Sequence, residues 1–427
     1  MKKLSGLLTL VAFCGVLSSS AQSYTSSESS SLRDDSLFVK SGKEPLSLSR
    51  FNYYIEMNAN QASNVITAGF ATDLAEGGFI SRSILDPVLN KHTMGFGYLG
   101  GSAGVNVNWS ILPEEGRQWS LCGSFGSEVL LDTRWTQDLF ELIWYGNDSQ
   151  TGEVALLSGS GARMGVFNRF SIGGLQNETK QRFELSFIQR LAGLEWSLPY
   201  GFMWVSENAD SLETYLQTEV RLHANADTTF LPAYGLGISG NIPIHSNDLP
   251  LDIDISFRDV GLLLEPKGSK VYWIQEGIST TGLPVFGDSL TWESIYDGEI
   301  STDSLLMSGE SSERLVLLPS RLSAKFKIDV TKKMDCVFRV DAGGWMPQTL
   351  ITTGFAWDRN KNFSLGVNYI DGGWGEKRIA VWTKVRLSGK RSLYVNIENP
   401  IGLMLPLYSS INTLSRGVTF RFSKENG

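Results

Sequence analysis

Polar and apolar residues alternate along much of the chain. In Leu251-Asp252-Ile253-Asp254-Ile255-Ser256-Phe257-Arg258 every odd position is apolar and every even one polar. Residues 322–330 repeat the pattern, with Ser323, Lys325, Lys327 and Asp329 on the polar side, and so do 379–387, 393–398 and 418–422. Successive side chains of a strand point to opposite faces, so each segment predicts a strand with one apolar and one ionic face. Earlier strands are predicted at 93–98, 103–112, 118–131, 162–172, 183–197, 201–206, 214–224, 234–240 and 251–264. Later ones are predicted at 320–330, 334–343, 350–357, 363–369, 378–387, 392–398 and 417–423. Most are close to the ~9–11 tilted residues that cross a bilayer, whereas no apolar run after residue 22 reaches the ~18 residues of a helical span. A soluble sandwich alternates more weakly. The repeated contrast predicts an all-β fold, an antiparallel transmembrane outer-membrane β-barrel of about fourteen strands.

Two segments break the alternation. In 135–144 (WTQDLFELIW), Leu139, Leu142 and Ile143 fall at helical spacing and Gly146-Asn147 follows, which predicts a short helix near 136–145. The stretch 277–314 is acidic and Ser-rich, the composition of a long surface loop, extracellular in barrels of this kind.

The start of the chain sets the compartment. Lys2 and Lys3 precede the apolar stretch 4–17, and Ser19-Ser20-Ala21 supplies small residues for cleavage before Gln22. The expected organisation is a signal peptide at 1–21, a flexible polar segment at 22–48 and the barrel at 49–427, located in a Gram-negative outer membrane. Cys14 follows Phe13 inside the apolar stretch, which does not suit lipidation. Cys122 and Cys336 read as small apolar fillers, Cys336 on the same face as Phe338 and Val340. The 44 glycines, 12 tryptophans, 13 tyrosines and 22 phenylalanines suit tight turns and aromatic girdles, and equally a soluble β-protein. A net charge of -8 excludes a general nucleic-acid binder.

Candidate chemistry is sparse. Gly95-Phe-Gly97-Tyr-Leu-Gly100 matches a dinucleotide fingerprint and Gly100-Gly-Ser102-Ala-Gly104 a nucleophile elbow, but both motifs need a helix to follow. A strand pattern follows instead, and a glycine-rich hairpin is the simpler reading. Asp358 to Asn362 opens like a calcium loop but has Phe363 where glycine is needed and Tyr369 in place of the distal glutamate. No catalytic, cofactor-binding or metal-binding residue is expected. The polar strand faces say more. A lipid-facing Lys or Arg costs ~2–4 kcal/mol at the midplane. The lumen-facing candidates are therefore Glu219, Arg221, His223, Asp252, Asp254, Arg258, Lys325, Lys327, Asp329, Arg339, Asp341, Lys384, Arg386 and Arg421.

Four stretches carry a family resemblance: 138–147 (DLFELIWYGN), 257–262 (FRDVGL), 318–324 (LPSRLSA) and the block from Tyr394 to Phe422. On these the chain resembles an uncharacterised family of Bacteroidota outer-membrane barrels, distantly similar to the FadL-type fatty-acid transporters and to the PorV component of type IX secretion. The resemblance implies a FadL-like barrel surrounded by outer-membrane lipid, and no catalytic residues. Its first functional implication is passage of a small or hydrophobic solute across the outer membrane. The alternative is a non-transporting anchor or accessory subunit for secreted surface proteins, with the acidic loop as docking surface. An outer-membrane lipid hydrolase built on Ser102 ranks last.

Overall fold

The computed structural model describes residues 51–424, apart from 78, 93–94, 113–116, 148–149, 209–210, 224–231, 246–249, 268–269, 282–306, 311–312, 388–389 and 401–412. The predicted signal peptide and polar lead-in therefore lie outside the described residues. Strands β1 to β6 are Phe51–Thr67, Phe96–Ile111, Trp119–Thr136, Val154–Leu156, Ser160–Gln176 and Arg182–Val205. β7 to β12 are Ser211–Leu222, Ala233–His245, Leu251–Glu265, Lys270–Thr281, Met307–Glu310 and Arg314–Leu317. β13 to β19 are Arg321–Thr331, Met334–Gly343, Leu350–Asn360, Phe363–Gly372, Gly375–Leu387, Arg391–Glu398 and Thr413–Lys424. Helices α1 (Ala68–Glu76), α2 (Arg82–Leu89) and α3 (Gln137–Trp144) complete the described elements.

Fourteen strands close an antiparallel barrel. β1, β2, β3, β5, β6, β8, β9 and β13 to β19 pair in that order, and β19 returns to β1 from Tyr53↔Lys424 to Ala62↔Ser415. Closure leaves the fourteen-strand ring without a free edge, which a bilayer requires because it offers no water to unpaired backbone groups. The outer face is apolar around the whole ring: Phe125, Phe170, Phe187, Leu236, Val367, Ile379 and Phe420 each expose between 46% and 60% of their surface. A belt of that kind is stable against hydrocarbon and not against water. β13 and β15 have 11 residues each. At ~3.3 Å per residue and a ~40° tilt they span roughly 28 Å, close to a bilayer core.

The two rims differ. Short turns, such as the one from Thr331 to Met334, join the strands at one rim, where β1 also begins and β19 ends. At the other rim α1, α2 and α3 gather over the ends of β1, β2, β3 and β19. There Val65, Phe70, Leu85, Val88, Leu99, Phe140 and Leu414 form a buried apolar cluster. Thr67 and Thr136 cap α1 and α3 by accepting from Phe70 N and Leu139 N. α3 stands where the helical spacing predicts it. α1 and α2, with their nine and eight residues, were not foreseen.

Several predicted strands change shape. Residues 96–98 and 103–111 of two predicted segments lie in one strand, β2, so the glycine-rich run lies mid-strand and is no hairpin. The segments 183–197 and 201–206 likewise form the 24-residue β6, with Pro199 inside the register break between Ser197 and Tyr200. β1 was not foreseen. Of the predicted loop at 277–314, the ends belong to β10, β11 and β12, while 282–306 lies outside the described residues. The wall also forks. β6 pairs with β8 over Arg182–Arg190, and with β7 from Leu194 onward. β7 leads to β10 and β11, a side sheet beyond the fourteen-strand wall.

Candidate functional site

The lumen is filled on one side and hollow on the other. On the filled side β3 turns Ser120, Cys122, Ser124, Glu128, Leu130 and Asp132 away from its exposed residues Trp119, Leu121 and Phe125. Glu128 meets Arg258 Nη2 at 2.5 Å, with Arg169 and Arg321 each at 3.8 Å. Arg169 Nε donates to Asp259 at 2.8 Å. Asp259 adopts φ +55°, where the register of β8 against β9 breaks between Ile238 and Gly240. One step toward the helical rim, Leu130, Phe167, Ile188, Leu263 and Leu318 pack with Trp345. Next comes a second ionic layer at the fork. Arg190 joins Glu265 at 2.6 Å and Glu195 at 3.4 Å, while Arg314 joins Glu195 at 2.7 Å and also pairs with Glu265. Removing one partner of such a buried pair leaves an uncompensated charge, which is costly.

The hollow side, between β1 and β13 to β19, encloses a cavity of about 700 Å³. Two turns fold inward over its end at the helical rim. Trp374, in the turn between β16 and β17, crosses the lumen to donate to Asp132 Oδ1 at 2.9 Å and is 6% exposed. A Cβ on Gly100 of β2 would overlap the Trp374 ring, so the mid-strand glycine is the space this indole occupies. Trp345, after β14, holds φ +67°, an unfavourable backbone for a bulky residue. Its ring packs against Phe167 at 5.7 Å between centroids and under Arg163 at 5.1 Å. Asp132 ties both turns together, because Arg163 Nε also donates to it at 2.9 Å.

The cavity wall is mixed. Met346, Leu350 and Ile370 make it apolar near the two turns. At the same level, opposite Leu350 and Ile370 in the strand register, it carries Asp341, paired with Arg339 at 2.7 Å, and Arg378, paired with Glu398 at 3.1 Å; the Arg421–Glu56 pair lies farther toward the short-turn rim. Arg421 is flanked by the rings of Tyr54 and Tyr394, at 5.2 and 5.8 Å. Lys325 and Lys384 line the same space.

The residues singled out from sequence fall into four groups. Lys325, Arg339, Asp341, Lys384 and Arg421 line the cavity, and Arg258 stands in the filled half against Glu128. Asp252, Lys327 and Asp329 sit near the short-turn rim: Asp252 contacts His245 at 2.8 Å, and Lys327 reaches Asp329 at 2.8 Å and Asp335 at 3.1 Å. Asp254 stands opposite Lys325 in the β9–β13 register, and Arg386 follows Lys384 by one inward step. Glu219 and Arg221 pair with each other on β7, in the side sheet. His223 lies just past them, 3.7 Å from Glu195 and 3.9 Å from Glu265. These three side chains approach to within 4.8 Å of one another, but Arg190 and Arg314 already bind both carboxylates and occupy the place of a cation. Sequence reasoning missed Glu128, Arg169, Asp259, Arg190, Glu195, Glu265 and Glu56. The parity of 183–188 (FELSFI), with Phe183, Leu185 and Phe187 facing out, was the available signal for Glu184 and Arg190. Ser102 lies within β2, and its Oγ accepts from the amides of Asn58 and Asn60 at 3.3 and 3.1 Å. It is on a strand, not a strand-to-helix elbow, and neither partner is a base, so the hydrolase geometry is missing. The 358–362 segment ends β15 and turns into β16, with Asn360 Oδ1 accepting from Asn362 N at 2.9 Å.

No family model and no curated protein matches the chain. Solved structures similar to it include a mutant of the TodX monoaromatic hydrocarbon channel, at 10% identity and TM-score 0.43, covering 89% of this chain and 92% of that one. The Pseudomonas putida toluene transporter TodX follows at 10% and 0.41, with the same coverage. A Pseudomonas aeruginosa FadL homologue stands at 10% and 0.40, covering 89% and 91%.

Proposed function

We propose that this outer-membrane barrel passes a small solute through its lumen. The observation that carries this reading is the cavity of about 700 Å³ inside the closed wall. That volume lies within the ~300–1,000 Å³ typical of sites that hold a small molecule. Short turns face the periplasm in barrels of this class, which puts the helical rim outside. The inward turns bearing Trp345 and Trp374 then cover the outer entrance, and passage requires them to move aside. Of the two solute types suggested by the sequence, small or hydrophobic, the ionic wall favours a small polar one. A dedicated anchor would gain nothing from a hollow lined with ionic side chains, whose desolvation a packed core avoids.

Reconstitution into planar bilayers tests the reading. The wild-type barrel should show discrete openings. Trp374→Ala should raise the open probability or conductance several-fold, because it removes the side chain that spans the lumen. A barrel that stays silent both as wild type and as Trp374→Ala would end the proposal.

A further inference from the structure

The cavity is lined by six cationic side chains, Arg321, Lys325, Arg339, Arg378, Lys384 and Arg421, against the three carboxylates of Glu56, Asp341 and Glu398. Each carboxylate is committed to one arginine: Glu56 to Arg421, Asp341 to Arg339 and Glu398 to Arg378. Arg321 also approaches Glu128 of the filled half, at 3.8 Å. Lys325 and Lys384 remain. Among the described residues, neither has a carboxylate within 4.0 Å. Lys325 stands opposite Asp254 in the strand register without forming an ion pair. Its electrostatic neighbours otherwise are Arg339, Lys327 and Arg421, all cationic. Lys384 therefore has no carboxylate partner among the described residues and Lys325 only Asp254, beyond ion-pair distance, and both line a space in which cationic side chains outnumber carboxylates six to three. Asn368 on β16 adds a polar group to the wall between them, and Ser392, Asn396 and Thr419 on β18 and β19 add others beyond Lys384. Walls of low dielectric concentrate such a field and raise the local density of anions.

We infer that the cavity binds a small anion, of the phosphate or carboxylate class, on the wall that carries Lys325 and Lys384. A neutral hydrocarbon would leave the cationic wall desolvated without a counter-charge, at a cost. The site fixes what enters the lumen and deepens the passage reading on which it rests as a route.

The test separates binding from passage. The full-length barrel in a zwitterionic detergent is titrated with inorganic phosphate and with succinate by calorimetry, and with glucose as the neutral control. Phosphate or succinate should bind, glucose should not, and affinity should fall as ionic strength rises. The Lys325→Ala/Lys384→Ala double variant should lose at least tenfold in affinity. Lys325→Arg/Lys384→Arg should retain most of it, and heat-modified gel migration confirms that each variant is folded. The inference is overturned if neither anion binds the wild-type barrel, or if the double alanine variant binds as well as wild type. Bilayer reversal potentials are the separate arm. A conducting wild-type barrel should prefer chloride to potassium and lose that preference in the double alanine variant. Conduction without anion preference overturns the inference and leaves passage standing. Binding without conduction keeps the site and removes the route.

Discussion

Glu128 faces three guanidinium groups, Arg258 at 2.5 Å and Arg169 and Arg321 at 3.8 Å. Removing one partner of a buried ionic cluster leaves uncompensated charge, at a cost of ~3–5 kcal/mol. Glu128→Ala should lose about that much in urea unfolding from a bilayer, and Glu128→Gln less, since its amide oxygen still accepts from Arg258. A loss below about 1 kcal/mol in Glu128→Ala would mean that the filled half does not depend on this carboxylate. A second residue outside the membrane gives a pH signature. His92, between α2 and β2, is 4% exposed. Trp135 Nε1 donates to its Nε2 at 3.0 Å, and its Nδ1 lies 3.0 Å from the Val88 carbonyl, which accepts only. The ring is thereby fixed as the neutral Nδ1–H tautomer. Burial is the largest influence and lowers its pKa below the ordinary 6.5, against the opposing pull of the Val88 and Leu89 backbone and Glu141. As pH falls through about 6.5 the unfolded state takes up this proton first. The stabilisation is therefore full above that pH and is lost progressively below it. Hydrogen exchange of the α2 amides, corrected for intrinsic rate, should show weaker protection at pH 5 than at pH 7.5, and His92→Gln should flatten the difference. Equal protection in the wild type at both values would refute the assignment.

Among the elements, the turns carry what the alternation of strands could not show. The alternating segments were legible because their outward residues are apolar and their inward ones charged, as in β9, β13 and β17. β1 escaped notice although Glu56, Asn58 and Asn60 face the lumen, because Tyr53 and Tyr54 put similar rings on opposite faces and blur the alternation at its start. β2 and β6 were each divided in two because glycine and proline are turn residues in most settings. Here the glycine at 100 makes room for a tryptophan from another turn, and Pro199 sits where β6 already breaks register with β7. That logic predicts the effect of adding one methyl group. Gly100→Ala would displace the Trp374 ring and break its hydrogen bond to Asp132, while leaving the β2 backbone pairing with β1 and β3 in place. The expected outcome is an unchanged midpoint of barrel unfolding within ~1 kcal/mol together with a conductance close to that of Trp374→Ala. Should Gly100→Ala unfold the barrel instead, the turn would be a structural staple and not a cover over the cavity.

Across the whole molecule, local periodicity determines which face of a strand meets lipid, whereas the division of the lumen arises from contacts between distant segments. Arg169 meets Asp259 across 90 residues, Trp374 meets Asp132 across 242, and Arg421 meets Glu56 across 365. A pattern read within ten residues contains the parity of each charge but not its partner, so the candidate lumenal residues could be named and the hollow half could not. The same separation of faces makes a test of the membrane assignment that depends on no ligand. Val367 and Asn368 are neighbours at the middle of β16; Val367 is 47% exposed on the outer face, and Asn368 lines the cavity. An arginine at the outer position should cost ~2–4 kcal/mol of folding free energy in a bilayer, because a midplane cation must be drawn into hydrocarbon. An arginine one residue later would enter the lumen, out of the hydrocarbon, and should cost well under half as much. Urea titrations of Val367→Arg and Asn368→Arg in the same lipid vesicles measure the difference directly. Penalties that are equal, or larger for Asn368→Arg, would place β16 the other way round and remove the hollow lumen with it. A Val367→Arg penalty that persists in vesicles and vanishes in detergent would show that the outer belt is matched to the bilayer.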